Sequence, residues 1–217
     1  MSVWVAFPTV NPERAAKAAV NWSCKGYRVA ILTNTPDWPE IPQVSLHLKV
    51  KDYPGYFVSC NVLCKALALL DQDLVAVCCA ADDMHPDPDL TAEALGEQYL
   101  DHFRGGYGVM QPVGDDLLGT DAICGSPWFG RAWIERAYFG RGPFCGLYKH
   151  FFGDEELRHY AKFHGALWDR PDVTQRHDHW TRGVPKTPYQ CTNSDDYWRG
   201  DQITFEHRRN TYQWFTK

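Results

Sequence analysis

Two adjacent aspartates, Asp82 and Asp83, follow an apolar run in the stretch CCAADDMHPDPD, residues 78–89. Like charges side by side repel each other, so a fold that places them at the end of a buried strand gains stability when a cation neutralises them. Oxygen ligands suit Mg²⁺ or Mn²⁺, which take one or two carboxylates and complete their shells with water and substrate phosphates. The pair predicts a divalent-metal site, with the capping of a turn as the alternative.

Two histidines in QRHDHW, His177 and His179, could complete the shell of such a metal. On a predicted strand over residues 172–180 they alternate, so both face one side and Asp178 faces the other. Histidines at a surface or at the edge of a core are the competing interpretation.

Three acidic residues, Asp154, Glu155 and Glu156, open the clearest helical pattern of the chain, GDEELRHYAKFHG. Acids are common there because the N-terminal end of a helix carries partial positive charge. The functional alternative is that one of them points into a cleft and acts as a general base.

The elements that must position these residues begin with a βαβ unit. Residues 3–7 and 27–34 are predicted strands, joined by a helix that Asn11 caps. A unit of this length predicts parallel strands and a right-handed connection. Residues 74–81 are apolar without alternation, as expected for a central parallel strand covered on both faces.

Residues just after such strands are the candidates for ligand contact, because ligands of open α/β sheets bind beyond the carboxyl ends of the strands. Pro8, Thr9 and Asn11 follow the first strand, and Asn34 ends the second. The aspartate pair follows the third, so all three places are predicted to border one site.

Other segments are less regular. Residues 36–54 are rich in proline and are predicted to be irregular, while residues 56–70, apolar almost all round, predict a helix buried between layers. SPWFGRAWIERA predicts a helix capped by Ser126. The end of the chain shows no clean period, so we predict a catalytic domain over residues 1–184 and a C-terminal tail or lid packing on it over residues 185–217.

Composition narrows the class of protein. A chain of 217 residues with 44% hydrophobic content is long enough for one substantial core. The net charge of −5 and the absence of a basic run do not suggest a nucleic-acid backbone as a partner. The eight cysteines form no CxxC pair, and neither a signal sequence nor a long apolar run is seen. These features predict a reduced, soluble, cytoplasmic protein without a membrane segment.

In this order, the motifs resemble those of the GT-A glycosyltransferases, and within them the large inverting family 2. FPTVNPE is similar to the first strand and helix entry where the nucleotide base sits, and PGYFVSCN, with Gly55 and Asn61, to the Gly-plus-Asn helix near the donor. AADDMHPDPD resembles the DxD variant written as two aspartates and a following proline. FFGDEELRHYAKFHG resembles the acidic motif of the acceptor side, and DVTQRHDHW the strand ending in histidine after it.

The resemblance implies both a fold and a reaction. The fold is α/β, a GT-A (Rossmann-like), mostly parallel sheet flanked by helices, in a single domain with a C-terminal extension. The reaction is the transfer of a hexosyl or pentosyl group from a nucleotide-diphosphate sugar to an acceptor hydroxyl. It depends on Mn²⁺ or Mg²⁺ and inverts the anomeric carbon in a single displacement.

The resemblance also assigns roles to residues. Asp83 would bind the metal on the donor diphosphate, with Asp82 near the ribose or the metal, and His177 or His179 would help to hold the metal or the pyrophosphate. Asp154 would be the general base. The implied donor contacts are Pro8, Thr9, Asn11, Asn34, Asn61 and Asp82.

The chain departs from the family pattern at three places. Ala81 stands where the first acid of the metal motif often lies, so either aspartate could meet the metal. Gly153 replaces an acid that often precedes the base, which leaves Glu155 as a rival to Asp154. The acid expected after the second strand is absent, and Asn34 is the nearest substitute.

Two other classes of function stay open at this point. A nucleotidyltransferase or a metal-dependent hydrolase could use Asp82, Asp83, His177 and His179, although FPTVNPE lacks the Gly-rich basic loop of the former. A non-catalytic module that binds carbohydrate or nucleotide is the third reading. The acceptor of a transferase could be a glycan, a protein or a modified DNA base, and the sequence does not indicate the oligomeric state.

Overall fold

The structure, a computed structural model, describes residues 1–112, 115, 122–179, 182–183 and 195–215. One seven-stranded sheet has the order β3-β2-β1-β4-β6-β5-β7. Its β6 runs antiparallel to β4 and β5, and the other neighbouring strands are parallel. The strands are β1 (Ser2–Pro8), β2 (Arg28–Thr33), β3 (Val44–Lys49), β4 (Leu74–Cys79), β5 (Val109–Pro112), β6 (Trp128–Gly130) and β7 (Leu167–Arg170).

Helices cover both faces of this sheet and divide its core in two. One apolar cluster joins the sheet to α2, α4 and α5, and the other joins it to α1 and α3. The helices are α1 (Pro12–Ser23), α2 (Tyr56–Leu70), α3 (Ala92–His102), α4 (Arg131–Gly140), α5 (Gly153–Phe163) and α6 (Asp195–Thr211). The predicted α/β class, with a mostly parallel sheet flanked by helices in one domain, is confirmed.

The βαβ unit forms as its sequence predicts. The side chain of Asn11 caps α1 by accepting a hydrogen bond from the N–H of Arg14 at 3.0 Å, and Pro12 opens the helix. Strand β4 is buried along its whole length, as its apolar run without alternation predicts. Because β1 is parallel to both β2 and β4, the residues that follow these three strands lie at one edge of the sheet.

Some expectations for the other segments are wrong. The proline-rich stretch contains edge strand β3, and Trp128 to Gly130 form β6, so α4 begins at Arg131 rather than near Ser126. Residues 172–180 do not form a strand in the part that the structure describes; a single bridge pairs His177 with Met84. Helix α2 is not buried between layers, since Val62, Leu69 and Leu70 on its outer side are exposed.

The C-terminal segment adds α6 and a short 3-10 turn, Gln213–Phe215. Phe205 of α6 is buried in the same apolar cluster as α2, α4 and α5. Asp201 accepts hydrogen bonds from three consecutive backbone N–H groups, those of Lys149, His150 and Phe151, at 2.9, 2.8 and 2.8 Å. This segment therefore packs on the sheet-and-helix body through both apolar and polar contacts.

No helix among the residues that the structure describes combines the length and the apolar character needed to cross a bilayer.

Candidate active site

A cleft of about 830 Å³ opens at the carboxyl ends of the parallel strands. This is the edge at which ligands of open α/β sheets bind. All of the predicted catalytic, donor-binding and metal-binding residues except Asn61 line it. They are Pro8, Thr9, Asn11, Asn34, Asp82, Asp83, Asp154, Glu155, His177 and His179.

The acid pair at the end of β4 is held by an arginine. Nη2 of Arg14 lies 2.8 Å from Oδ1 of Asp82 and 2.8 Å from Oδ2 of Asp83, so one nitrogen bridges both carboxylates. The second oxygen of Asp82 accepts a hydrogen bond from the Thr9 hydroxyl at 2.7 Å. The two like charges therefore share one cation that the protein itself supplies.

The two aspartates respond differently to this environment. Burial raises the pKa of Asp82, and the charge of Asp83 raises it further, against the lowering effects of Thr9 and Arg14. Burial also acts to raise the pKa of Asp83, but contact with His177 and Arg14 outweighs it and holds that pKa below its ordinary value. Asp83 is thus the more firmly ionised carboxylate of the pair.

His177 and His179 lie in the segment after β7, and His177 contacts the acid pair. Nε2 of His177 lies 3.1 Å from Oδ1 of Asp83, which is buried and has no hydrogen bond of good geometry. The rings of His177 and His179 lie 5.0 Å apart. Asp178 instead contacts His85 at 2.9 Å, outside the cleft lining. The two histidines do share one side, although the predicted strand is absent from the described residues.

The helix that carries the candidate base begins with a strained turn. Phe152, just before α5, has a left-handed φ of 64°, a conformation that costs a non-glycine residue roughly 1–2 kcal/mol. At Gly153, a Cβ atom would lie 2.6 Å from the ring of buried Phe57. The absence of an acid before Asp154 therefore has a steric cause, because Gly153 packs directly on an aromatic ring.

The three acids that follow have different environments. Asp154 and Glu155 line the cleft, whereas Glu156 is fully buried and forms an ion pair with Arg208 of α6 at 2.6 Å. Burial raises the pKa of Asp154, against the lowering effect of the N–H groups of Asp154 and Glu155. Burial and the charge of Asp154 raise the pKa of Glu155. Raised pKa values make both cleft carboxylates stronger bases than exposed ones.

Asn61 is the predicted donor contact that the structure places elsewhere. It is buried on α2 and does not line the cleft. Its side-chain amide donates to the carbonyl of Phe144 at 3.0 Å and accepts from the N–H of Phe144 at 2.9 Å. In this protein, Asn61 of the motif PGYFVSCN therefore holds a neighbouring loop in place and does not contact the cleft.

Arg14 is the main functional candidate that sequence reasoning missed. It lies in the first turn of α1, where a cation is unfavourable because of the helix dipole. That unfavourable placement is the signal that could have indicated an acidic partner. Trp198 of α6, which also lines the cleft, carried no such signal because its helix was not predicted.

The residues present suit a divalent cation only in part. No group of three or more His, Cys, Asp or Glu side chains among the described residues is arranged to hold a metal by itself. Asp83 and His177 offer an oxygen and a nitrogen ligand at one point, and the buried Oδ1 of Asp83 lacks a hydrogen bond. A cation that takes one or two protein ligands and completes its shell with diphosphate oxygens and water would fit this set.

Comparisons with known proteins give structural likenesses and no sequence family. No family model and no curated protein matches the chain. A Drosophila β-1,4-galactosyltransferase 7 mutant, solved with manganese, UDP-Gal and xylobiose, is 9% identical with a TM-score of 0.49, over 89% of this chain and 80% of that one. A glucose-1-phosphate thymidylyltransferase from Bacillus anthracis, in complex with sucrose, is 10% identical with a TM-score of 0.46, over 100% of this chain and 99% of that one.

Proposed function

We propose that the protein is a metal-dependent, inverting glycosyltransferase that moves a sugar from a nucleotide-diphosphate sugar to an acceptor hydroxyl. The observation that carries the proposal is the shared cleft. Asp82, Asp83 and His177 line it together with Asp154 and Glu155 of α5. A transferase of this kind needs both groups, one for the leaving diphosphate and one for the acceptor proton.

The donor would lie along the ends of β1, β2 and β4. Thr9, Asn11 and Asn34 offer the cleft a hydroxyl and two amides that suit the neutral parts of a nucleotide. A divalent cation held by Asp83 and His177, with Asp82 beside it, would supply charge stabilisation to the departing diphosphate. We expect Mn²⁺ or Mg²⁺ because oxygen atoms of the carboxylate, the diphosphate and water would make up most of the shell.

Asp154 would take the proton of the acceptor hydroxyl. As that proton moves to the carboxylate, the acceptor oxygen forms a bond to the anomeric carbon and the bond from that carbon to the diphosphate oxygen breaks. Attack opposite the leaving group inverts the carbon. The raised pKa of Asp154 favours this role, since a base with a pKa nearer the working pH accepts a proton more readily.

The alternatives differ in what the cleft must contain. A nucleotidyltransferase or a metal-dependent hydrolase would use the cluster at the end of β4 but would not need Asp154. A non-catalytic binding module would need no general base, so neither Asp154 nor Glu155 would be required. The acceptor stays open among a glycan, a protein and a modified DNA base, so the test must not depend on the acceptor.

The test is release of nucleoside diphosphate from a panel of UDP-, GDP-, ADP- and dTDP-sugars with MnCl₂, with water or added acceptors taking the sugar. We expect Asp154→Asn to lower turnover by about 10²-fold or more while donor binding persists. Glu155→Gln separates the two candidate bases, and Asp101→Asn, at an exposed position of α3, is the matched control.

Full turnover in Asp154→Asn together with loss in Glu155→Gln would move the role to Glu155. Full turnover in both variants, or no diphosphate release from any donor, would refute the proposed reaction. Release of pyrophosphate from a nucleoside triphosphate and a sugar phosphate would instead indicate a nucleotidyltransferase.

A further inference from the structure

The position that a cation would take between Asp82 and Asp83 is held by Arg14. Both contacts are made by the same terminal nitrogen, Nη2, at 2.8 Å. With Thr9 on Oδ2 of Asp82 and His177 beside Oδ1 of Asp83, each of the four carboxylate oxygens faces a group of the protein. A free cation could therefore bridge the two carboxylates only if Arg14 moved away.

Arg14 has room to move. About a quarter of its side chain is exposed, compared with 16% and 9% for the side chains of Asp82 and Asp83. Its backbone is fixed in the first turn of α1 by the cap at Asn11, so movement would be confined to the side chain. The side chain itself lines the cleft, so a rotation could carry the guanidinium towards a ligand there.

Arg14 is also the one Lys or Arg among the described residues that line the cleft. Among these residues a diphosphate would find no other guanidinium or ammonium group. Guanidinium groups bind phosphate oxygens well because their donors form a planar fork. The acid pair and a bound diphosphate would thus compete for the same arginine.

We propose that Arg14 is an internal counter-ion that keeps a free divalent cation from the acid pair and transfers to the diphosphate when the donor binds. This inference rests on the proposed function for the identity of the ligand. Metal binding becomes conditional on the donor, because the diphosphate both draws Arg14 away and supplies the ligands that Asp83 and His177 lack. Arg14 is then a positioning residue that sets the order in which donor and metal enter.

The experiment measures Mn²⁺ binding to the free protein by the loss of the aqueous Mn²⁺ signal in electron paramagnetic resonance. No nucleotide is present. We expect Arg14→Ala and Arg14→Gln to bind Mn²⁺ about tenfold or more tightly than the wild type, the change that corresponds to roughly 1.4 kcal/mol. Arg14→Lys keeps the charge but loses the planar fork of donors. Its affinity for Mn²⁺ should lie between that of the wild type and those of the other two Arg14 variants.

The matched control is Arg28→Ala. It removes the same single charge from an arginine that pairs with Asp71 at 3.0 Å, and neither residue lines the cleft. We expect it to bind Mn²⁺ as the wild type does. Circular dichroism of each variant shows whether it is folded, and Arg14→Gln and Arg14→Lys keep the test open if Arg14→Ala is not.

A second measurement follows inorganic pyrophosphate by isothermal titration without metal. The wild type should bind it and Arg14→Ala should lose about tenfold or more in affinity, as expected for the loss of a charge-assisted contact. Equal Mn²⁺ affinity in the wild type and the folded Arg14 variants would overturn the counter-ion role, as would an equal gain in Arg28→Ala. The proposed function fails separately, if no nucleotide sugar is turned over, because neither measurement involves turnover.

Discussion

Removal of Arg208 should destabilise the whole domain and test whether α6 belongs to it. Nε and Nη2 of Arg208 lie 2.7 and 2.6 Å from the two oxygens of Glu156, a bidentate pair. The side chain of Glu156 is fully buried, that of Arg208 is only 10% exposed, and Tyr148 donates a third hydrogen bond to Glu156 at 2.6 Å. Arg208→Ala would leave the carboxylate with the tyrosine alone.

The size of the effect follows from this burial. Breaking a buried ion pair by removing one partner costs roughly 3–5 kcal/mol, because the remaining charge is buried without compensation. For a domain of this size each kcal/mol lowers the thermal midpoint by roughly 2–4 °C, so Arg208→Ala should lower it by about 6–20 °C. Burial would lower the pKa of Arg208, but its bonds to Glu156 outweigh that effect and raise it, so the charge persists across the working pH range.

The assay is thermal unfolding followed by circular dichroism, with Arg209→Ala as control. Arg209 is the next residue of α6 and is exposed, so its loss should shift the midpoint by less than about 2 °C. A double variant, Arg208→Met with Glu156→Leu, should recover much of the loss because it removes both charges. Equal midpoints for the wild type and Arg208→Ala would refute the claim that α6 is part of the cooperative unit.

The remaining predictions concern the candidate base. Gly153→Ala should lower turnover by up to about 10²-fold, since its Cβ would press on Phe57 and displace Asp154, whereas Gly105→Ala, with open space around its Cβ, should not. Wild-type melting behaviour and turnover in Gly153→Ala would contradict the steric argument. Because burial raises the pKa of Asp154 and only its deprotonated form accepts a proton, turnover should fall with decreasing pH at a midpoint above the ordinary value of about 3.9. A pH–rate profile in which turnover stays constant down to about that value would show that Asp154 is not the base.

The parts of the fold that the sequence predicts are those whose signals are local. The cap at Asn11, the proline that follows it and the uniform burial of β4 each depend on a few neighbouring residues. Strand β6 was missed because its three residues are too few to show a period, and Ser126 and Pro127 imitate a helix start. Helix α6 was missed because only three of its residues, Asp201, Phe205 and Arg208, are buried.

In the candidate site, too, the residues with local sequence signals were predicted and the residue without a local partner was missed. Asp82, Asp83, Asp154 and the two histidines were found because they follow strands or open a helix, and the carboxyl edge of a parallel sheet brings such positions together. The contact of Arg14 with the two aspartates was missed because Arg14 and Asp82 are 68 positions apart in the sequence. Spacing in one sequence cannot indicate that kind of contact, whereas an unfavourable charge in a first helical turn can.

The C-terminal helix α6 contacts the segment that carries the candidate base. Asp201 fixes the backbone of residues 149–151, and Arg208 fixes Glu156 two residues after Asp154. His150, Phe151 and Asp154 line the cleft, and so does Trp198 of the same helix. A strained residue such as Phe152 persists only where the surrounding structure holds it in place. The position of Asp154 therefore depends on a helix that lies more than forty residues further along the chain, which explains why the acids of GDEELRHY could be recognised from sequence but not told apart.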